Sequence, residues 1–176
     1  MPYPTSPRLR FDELGPDDAD FILRLTNSEG WLRYIGDRGV RTEDDARRYL
    51  ETGPMASYAA HGFGLYRVAR RDTGVPIGIC GLLRRATLSD VDLGFAFLPA
   101  HRGQGFAREA AAATLAYAHA TLGLTRIVAI VSPENAASIR VLETLGMAQT
   151  GTVRLSADAE PVCLYAPLPT SSDRRS

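Results

Sequence analysis

The feature that most restricts the fold of this 176-residue chain is the run from Val91 to Leu122. An apolar stretch, Val91-Asp92-Leu93-Gly94-Phe95-Ala96-Phe97-Leu98, is closed by Pro99. The heptapeptide His101-Arg102-Gly103-Gln104-Gly105-Phe106-Ala107 follows, and an alanine-rich helical run continues from there to Leu122. A strand that ends at a proline, crosses a glycine-rich turn and enters a helix gathers several unpaired backbone N–H groups in one place. Those donors and the positive end of the helix dipole favour a bound anion, most naturally a phosphate. Glycine serves such a loop by allowing positive φ and by leaving room for a pyrophosphate against the backbone. An ordinary strand-to-helix turn has the same outline, so the heptapeptide alone leaves both readings open.

Two familiar phosphate loops are excluded. The dinucleotide fingerprint needs Gly or Ala where this chain has Arg108, and the nucleoside-triphosphate loop needs a Gly-Lys-Ser/Thr that does not follow. Arg102-x-x-Gly105-x-Ala107 instead resembles the R/Q-x-x-G-x-G/A pyrophosphate loop of the GNAT superfamily of acyl-CoA-dependent N-acyltransferases. Downstream, the strand Arg126 to Val131 and the segment Pro133 to Met147 are similar to the asparagine-bearing strand and helix of that superfamily. The spelling Asn135-x-x-Ser138-x-x-Val141-Leu142-Glu143-x-x-Gly146-Met147 resembles its RimJ/RimL-type branch, whose founding members acetylate ribosomal proteins.

The chain carries 20 basic and 20 acidic residues, so charge gives no reason to expect nucleic acid or an anionic membrane as the main partner. Every basic residue is arginine, which we read as coding bias. Cys80 and Cys163 sit far apart within apolar runs, which points to a reduced, buried pair in the cytoplasm. No apolar run approaches the roughly 20 residues of a membrane span, and no signal peptide is recognisable.

In order along the chain, residues 1–8 read as a proline-bearing arm, 9–168 as a single domain and 169–176 as a disordered polar tail. The first strand is expected at Leu9 to Leu14. A helix follows from Pro16 with Phe21, Ile22 and Leu25 on one face, and a second is capped by Thr42 and runs to about Leu50. Between them, Trp31 to Gly39 reads as irregular. Phe63 to Arg70 and Pro76 to Arg84 form a hairpin, and Gly151 to Ser156 and Pro161 to Pro167 form another. The helix from Asn135 ends at Gly146. The element order implies an α/β (α+β) fold with helices on both faces of a mixed sheet. The resemblance refines this to a GNAT-type, mostly antiparallel twisted sheet with a splay between two central parallel strands.

What the resemblance implies about the site follows residue by residue. Acetyl-CoA would lie between the Val91 and Arg126 strands. Backbone groups of Phe97 and Leu98 would pair with its pantetheine arm, and Arg102, Gly103, Gln104, Gly105, Phe106 and Ala107 would hold its pyrophosphate. Arg102 and Arg108 flank that loop, and either adds a phosphate contact or, for Arg108, covers a solvated helix face. Asn135 would bond the cofactor arm or a water, and as a bare residue it would be a helix cap; both roles are compatible. Many members carry a tyrosine, the acid for the leaving thiolate, at the position of Leu142. With leucine there, Ser138 is the substitute donor, or else a small residue packed on the sheet.

Asp92 is a candidate general base if its side chain enters the cleft, and otherwise a surface acid. Glu109 is a second candidate, although an acid in the first turn of a helix is explained by the dipole alone. Trp31 and Tyr34 are expected to wall the acceptor side, or to anchor a loop. His61, His101 and His119 lack metal-ligand spacing, and no metal is expected. These features point to a cytoplasmic N-acetyltransferase, monomer or homodimer. It would transfer acetyl from acetyl-CoA to a primary amine, a protein N-terminus first and a small amine or antibiotic second. The alternative is a non-catalytic acyl-CoA sensor or assembly module.

Overall fold

The computed structural model describes residues 3–169. The tail expected at 169–176 therefore lies outside the described residues except for Pro169.

Strand β1 (Leu9–Glu13) buries Leu9 and Phe11 and leaves Arg10 in solvent, the alternation of a half-buried strand. A short turn at Pro16–Asp18 leads into α1 (Ala19–Thr26). Helix α2 (Glu29–Tyr34) follows, where the sequence suggested irregular chain. It has only six residues, too few to show a helical period, and its bonds end at the Ile35 and Gly36 amides on the Trp31 carbonyl. Helix α3 (Glu43–Leu50) begins as expected: the Asp45 N–H donates to the Thr42 hydroxyl at 3.1 Å, and the Thr42 N–H donates to the Asp45 carboxylate at 3.1 Å. It passes through a wide π turn at Glu51–Met55, which absorbs Pro54, into α4 (Ala56–His61). Neither the turn nor α4 is apparent from the sequence.

The remaining elements are β2 (Leu65–Arg70), β3 (Pro76–Leu83), β4 (Val91–Phe97), α5 (Phe106–Ala120), β5 (Ile127–Val131), α6 (Ala136–Thr144), β6 (Met147–Val153) and β7 (Val162–Pro167). β6 starts directly after Gly146 instead of at Gly151, because Met147 and Ala148 pair with Pro167 and Ala166 of β7. The strands form one seven-stranded sheet in the order β1-β2-β3-β4-β5-β7-β6. Every neighbouring pair is antiparallel except β4 and β5, which are parallel.

Two apolar layers close on this sheet. One side packs α5 and α6 through Phe106, Ala110, Ala111, Tyr117, Ala118 and Leu142 against Val91, Leu93, Phe97, Ile127 and Ala129. The alanines of α5 let the helix backbone sit close to the strands. The other side packs α1, Trp31 and α3 against Leu65 and Ile79, with Leu83, Ala96 and Leu98 at its margin. Cys80 and Cys163 are both free and buried, as expected.

Candidate functional site

The parallel pair that defines the site is short. β4 and β5 match only over Val91, Asp92 and Leu93 with Ile127, Val128 and Ala129. Beyond that point β4 continues alone on this side to Phe97, and its Gly94, Phe95 and Ala96 are half-exposed in the middle of a sheet. β5 turns instead to β7, pairing through Ala129, Ile130 and Val131. The result is a wedge-shaped opening between two parallel strands, as expected.

Backbone alternation decides which groups face that opening. The Leu98 N–H donates to the Ile77 carbonyl of the β3 side at 2.8 Å, and the β3–β4 register runs without a break from Gly78–Phe97 to Leu83–Asp92. Even-numbered positions of β4 therefore turn their backbone groups to β3, and odd-numbered ones turn theirs to β5. This corrects the expectation for Leu98, whose N–H is already used. The groups left facing the opening belong to Phe95 and Phe97. Only Phe97 was anticipated, and sheet parity, not any sequence signal, identifies Phe95.

The opening ends at the glycine loop. After a short turn at Pro99–His101, Arg102 is extended, and Gly103 and Gly105 take φ of +77° and +79°. Gly105 is the N-cap of α5, and the first bond of the helix ladder is donated by Glu109 to the Gly105 carbonyl at 3.1 Å. The N–H groups of Phe106, Ala107 and Arg108 precede that ladder and point out of the helix end. A Cβ on Gly103 would meet nothing within 4 Å, so the outer side of the loop is open. Free donors, a helix dipole and no side chain in the way are what an anion-binding loop requires. Arg102 takes a different course from the one expected of a phosphate ligand. Its Nη2 donates to the Phe97 carbonyl at 3.4 Å, and an ideal Cβ on Gly30 would stand 2.0 Å from the same nitrogen. Arg102 thus ties the loop to α2, and Gly30 supplies the space. Arg108 is exposed.

The arm preceding β1 holds the loop from behind. Arg8 donates through Nη1 to the Gln104 carbonyl at 3.0 Å and through Nε to the Glu109 carboxylate at 2.6 Å, and it lies over the Phe106 ring at 4.4 Å. The Ser6 hydroxyl and the Arg8 N–H donate to the other Glu109 oxygen at 2.8 and 2.9 Å. Both Glu109 oxygens are therefore engaged in fastening the arm, which corrects its expected role as a base. Burial would raise the Glu109 pKa, but the bonds from Arg8 and Ser6 together hold it below the usual range. A carboxylate with a depressed folded-state pKa stabilises above its unfolded value and loses that contribution as pH falls through the folded one. Protection of the Ser6, Arg8 and Leu9 amides, taken relative to their unfolded exchange rates, is expected to fall as pH drops below the ordinary glutamate range. In Glu109→Gln that protection should be low at every pH, with kcat within about twofold of the parent, as for other changes away from the reacting groups. A kcat loss of about 100-fold would restore Glu109 to the chemistry.

On the far side of the opening, α6 starts after β5. The Asn135 carboxamide oxygen accepts the Ser138 N–H at 3.2 Å, so the cap reading holds, and the amide nitrogen is left for another partner. Ser138 is half-buried, one turn on. Leu142 is 1% exposed and packs in the core, so the absent tyrosine is replaced by a packing residue. Glu143 is exposed on the outer face.

Residues 8–148 match the family model described as an acetyltransferase (GNAT) domain. The chain belongs to the GNAT acetyltransferase family. The N-acetyltransferase p20 of Bacillus licheniformis is 32% identical over 148 residues, 84% of this chain and 83% of that one. A solved GNAT-family acetyltransferase from Bacillus anthracis superposes with a TM-score of 0.76 at 26% identity, covering 94% of this chain and 97% of its own. The fold alone is shared with a spermidine N-acetyltransferase from Vibrio cholerae, solved with CoA and spermine. That match has a TM-score of 0.74 at 20% identity and covers 90% of this chain and 94% of that one.

In this GNAT acetyltransferase the remaining candidates lie on the α1–α3 side of the sheet. Even-numbered side chains of β4 face that way, as Ala96 does, so Asp92 is on the same side as α2. It is not the surface acid that one reading of the sequence allowed. Asp92 is fully buried and accepts from Arg85 Nε at 3.2 and 3.3 Å. Burial pushes its pKa up, and Arg85 pulls in the opposite direction without cancelling the effect. Trp31 is 4% exposed and meets Tyr49 edge-on at 6.4 Å between centroids. It anchors α2 in the core, yet its indole N–H is buried with no partner. Tyr34 is half-buried, with the Arg33 guanidinium 5.0 Å above its ring. The two aromatics thus differ in kind: Trp31 belongs to the core, and Tyr34 to the surface. Tyr49, which the sequence gave no reason to single out, has its pKa raised by burial, while the nearby Arg38 and Arg85 pull it down. Among the described residues no group of three or more His, Cys, Asp or Glu is placed to hold a metal.

Proposed function

We propose that this acetyltransferase moves an acetyl group from acetyl-CoA to a primary amine by direct attack in a ternary complex. The observation that carries the reading is the parallel pair that stops after Leu93–Ala129 and opens onto a loop with two left-handed glycines at the start of α5. An extended chain with amide groups, such as pantetheine, can pair with the free backbone groups of Phe95 and the Phe97 N–H as a further strand would. The loop from Arg102 to Ala107 then receives the diphosphate. Asn135 and Ser138 border the same opening from α6. The amine approaches from the side of α2, where Tyr34 offers a half-buried aromatic ring on the same helix as the core residue Trp31.

Asp92 is the group that takes the proton from the amine, directly or through water. A base must be ionised, so a raised carboxylate pKa places the acidic limb of kcat/KM above the ordinary aspartate range, with activity lost as pH falls through it. Asp92→Asn is expected to lower kcat by about 100-fold and to abolish that limb. A stability measurement should accompany it, since the change leaves Arg85 facing an uncharged amide. Unchanged kcat and limb in the variant would remove Asp92 from the chemistry.

The reading extends to the RimJ/RimL-type branch, a cytoplasmic location, a protein N-terminus or small amine as acceptor, and a monomer or homodimer. Its test is turnover: release of CoA from acetyl-CoA in the presence of a mixed panel of amines and N-terminal peptides. Binding of acetyl-CoA with no turnover of any amine would favour the non-catalytic sensor instead.

A further inference from the structure

Gln104 stands between two glycines, and the loop around it has little of its own to hold it. Gly103 and Gly105 take φ of +77° and +79°, and a Cβ on Gly103 would meet nothing within 4 Å. Glycine loses more conformational freedom on ordering than any other residue, so such a loop keeps one shape only where other contacts hold it. The Gln104–Gly105 peptide is the unit this freedom leaves loose. Its C=O and N–H lie in one plane and point in opposite directions across a trans bond. A rotation of that unit therefore exchanges a donor for an acceptor at the loop surface, and an acceptor turned toward a diphosphate repels it.

The contact that fixes this peptide comes from the arm before β1. The Gln104 carbonyl accepts from Arg8 Nη1 at 3.0 Å. The same guanidinium donates through Nε to Glu109 at 2.6 Å and lies 4.4 Å from the centre of the Phe106 ring. Its Nη2 is 3.4 Å from the place a Cβ on Gly105 would take, which sets it against the loop backbone. Phe106 and Glu109 belong to the first turn of α5, and Phe106 is buried. The arm is also tied on its other side, since the Ser6 carbonyl accepts from Arg71 Nε at 2.9 Å just beyond β2. Arg8 is thus a strut between the packed start of α5 and one loop carbonyl. With that carbonyl drawn to Arg8, the Gly105 N–H faces away from it, and among the described residues it meets no protein acceptor.

We propose that Arg8 is a positioning residue of the cofactor loop: it sets the Gln104–Gly105 peptide so that the Gly105 N–H donates to the diphosphate. It acts through the loop backbone and not as a phosphate ligand. This deepens the proposed function and rests on its assignment of the loop to the diphosphate. Lysine is no substitute, because an ammonium lacks the fixed fork that meets a carboxylate and a carbonyl at once while covering a ring.

The test compares acetyl-CoA with acetylpantetheine, which has the same thioester and arm but no diphosphate, in the parent, Arg8→Gln and Arg8→Lys. In Arg8→Gln the calorimetric Kd and the KM for acetyl-CoA are expected to rise about 10-fold, the low end of what a hydrogen bond to a charged group contributes. At saturation kcat should stay within about twofold, and so should kcat/KM for acetylpantetheine. Arg8→Lys should behave as Arg8→Gln. Any loss of folded protein lowers the rates with both donors alike, so the ratio between donors reports on the loop and not on stability. Unchanged acetyl-CoA affinity in Arg8→Gln, an equal loss with both donors, or full recovery in Arg8→Lys would overturn the inference while leaving acetyl transfer to amines intact. Where acetylpantetheine is too poor a donor to follow, the split with acetyl-CoA decides, and a fall in kcat without a change in Kd overturns it. A parent that turned over neither donor with any amine would overturn the proposed function, and the calorimetry alone would then decide this inference.

Discussion

Gly105→Val is expected to weaken acetyl-CoA binding by at least about 100-fold, from an affinity in the micromolar range worth on the order of 7–8 kcal/mol. Gly105 has φ of +79° and is the N-cap of α5. A β-branched residue in that region costs on the order of 1–3 kcal/mol. The loop relieves the strain by leaving the left-handed conformation, which turns the donors of Phe106 and Ala107 away from a common point. The residue is exposed, so the domain should remain folded, and a melting curve checks this. Isothermal calorimetry then reads the affinity. Unchanged binding in a folded variant would remove the loop from the cofactor site.

Ser138→Ala and Asn135→Ala should give opposite kinetic signatures although the residues lie one turn apart. Leu142 is buried and cannot donate a proton, which leaves the Ser138 hydroxyl as the donor on α6 nearest the loop end of the helix. A thiol with a pKa near 8.5 needs only modest help to leave at neutral pH. Ser138→Ala is therefore expected to lower kcat by roughly 10–100-fold with acetyl-CoA affinity nearly constant, because the lost contact is strongest in the transition state. Asn135→Ala removes the cap that accepts the Ser138 N–H, a loss of about 1 kcal/mol in stability. It also removes the amide nitrogen that the proposed function gives to the cofactor arm, so its main effect should be on acetyl-CoA affinity. Steady-state kinetics with direct binding separate the two. Full kcat in Ser138→Ala would mean that the serine only packs and that solvent protonates the thiolate.

The parts of the fold that could be read from the sequence are those governed by neighbours along the chain. The Thr42 cap, the glycine loop, the proline that ends β4 and the glycine that ends α6 each follow from the conformational limits of one residue and its next few partners. The splay of the sheet was implied by the resemblance to the GNAT superfamily, and for the same local reason most of the order of strands and helices came through. Helix α2 did not, because six residues show no period and its formation depends on burying Trp31 against Tyr49.

The identities of the site residues divide along the same line. The glycine loop stood out from its own residues, while Asn135 and Ser138 became candidates through the resemblance to the GNAT superfamily. Tertiary structure alone assigned the rest, because each assignment depends on groups far apart in sequence. Glu109 is engaged by Ser6 and Arg8, a hundred residues away, across a contact that exists only when β1 docks beside α5. Leu98 loses its N–H to Ile77, and Phe95 gains a free one, through the parity of an antiparallel register. Asp92 is aspartate in the sequence, but it becomes a buried acid with a raised pKa on the α1–α3 side of the sheet only because β4 pairs with both β3 and β5. The sequence by itself determined a glycine-rich turn between a strand and a helix, because residues a few positions apart set it, and the acyl donor came with the resemblance to the GNAT superfamily. Which acid is buried and which backbone groups stay unpaired beside that turn was decided by strand pairing, since that is what sets the direction in which each residue points.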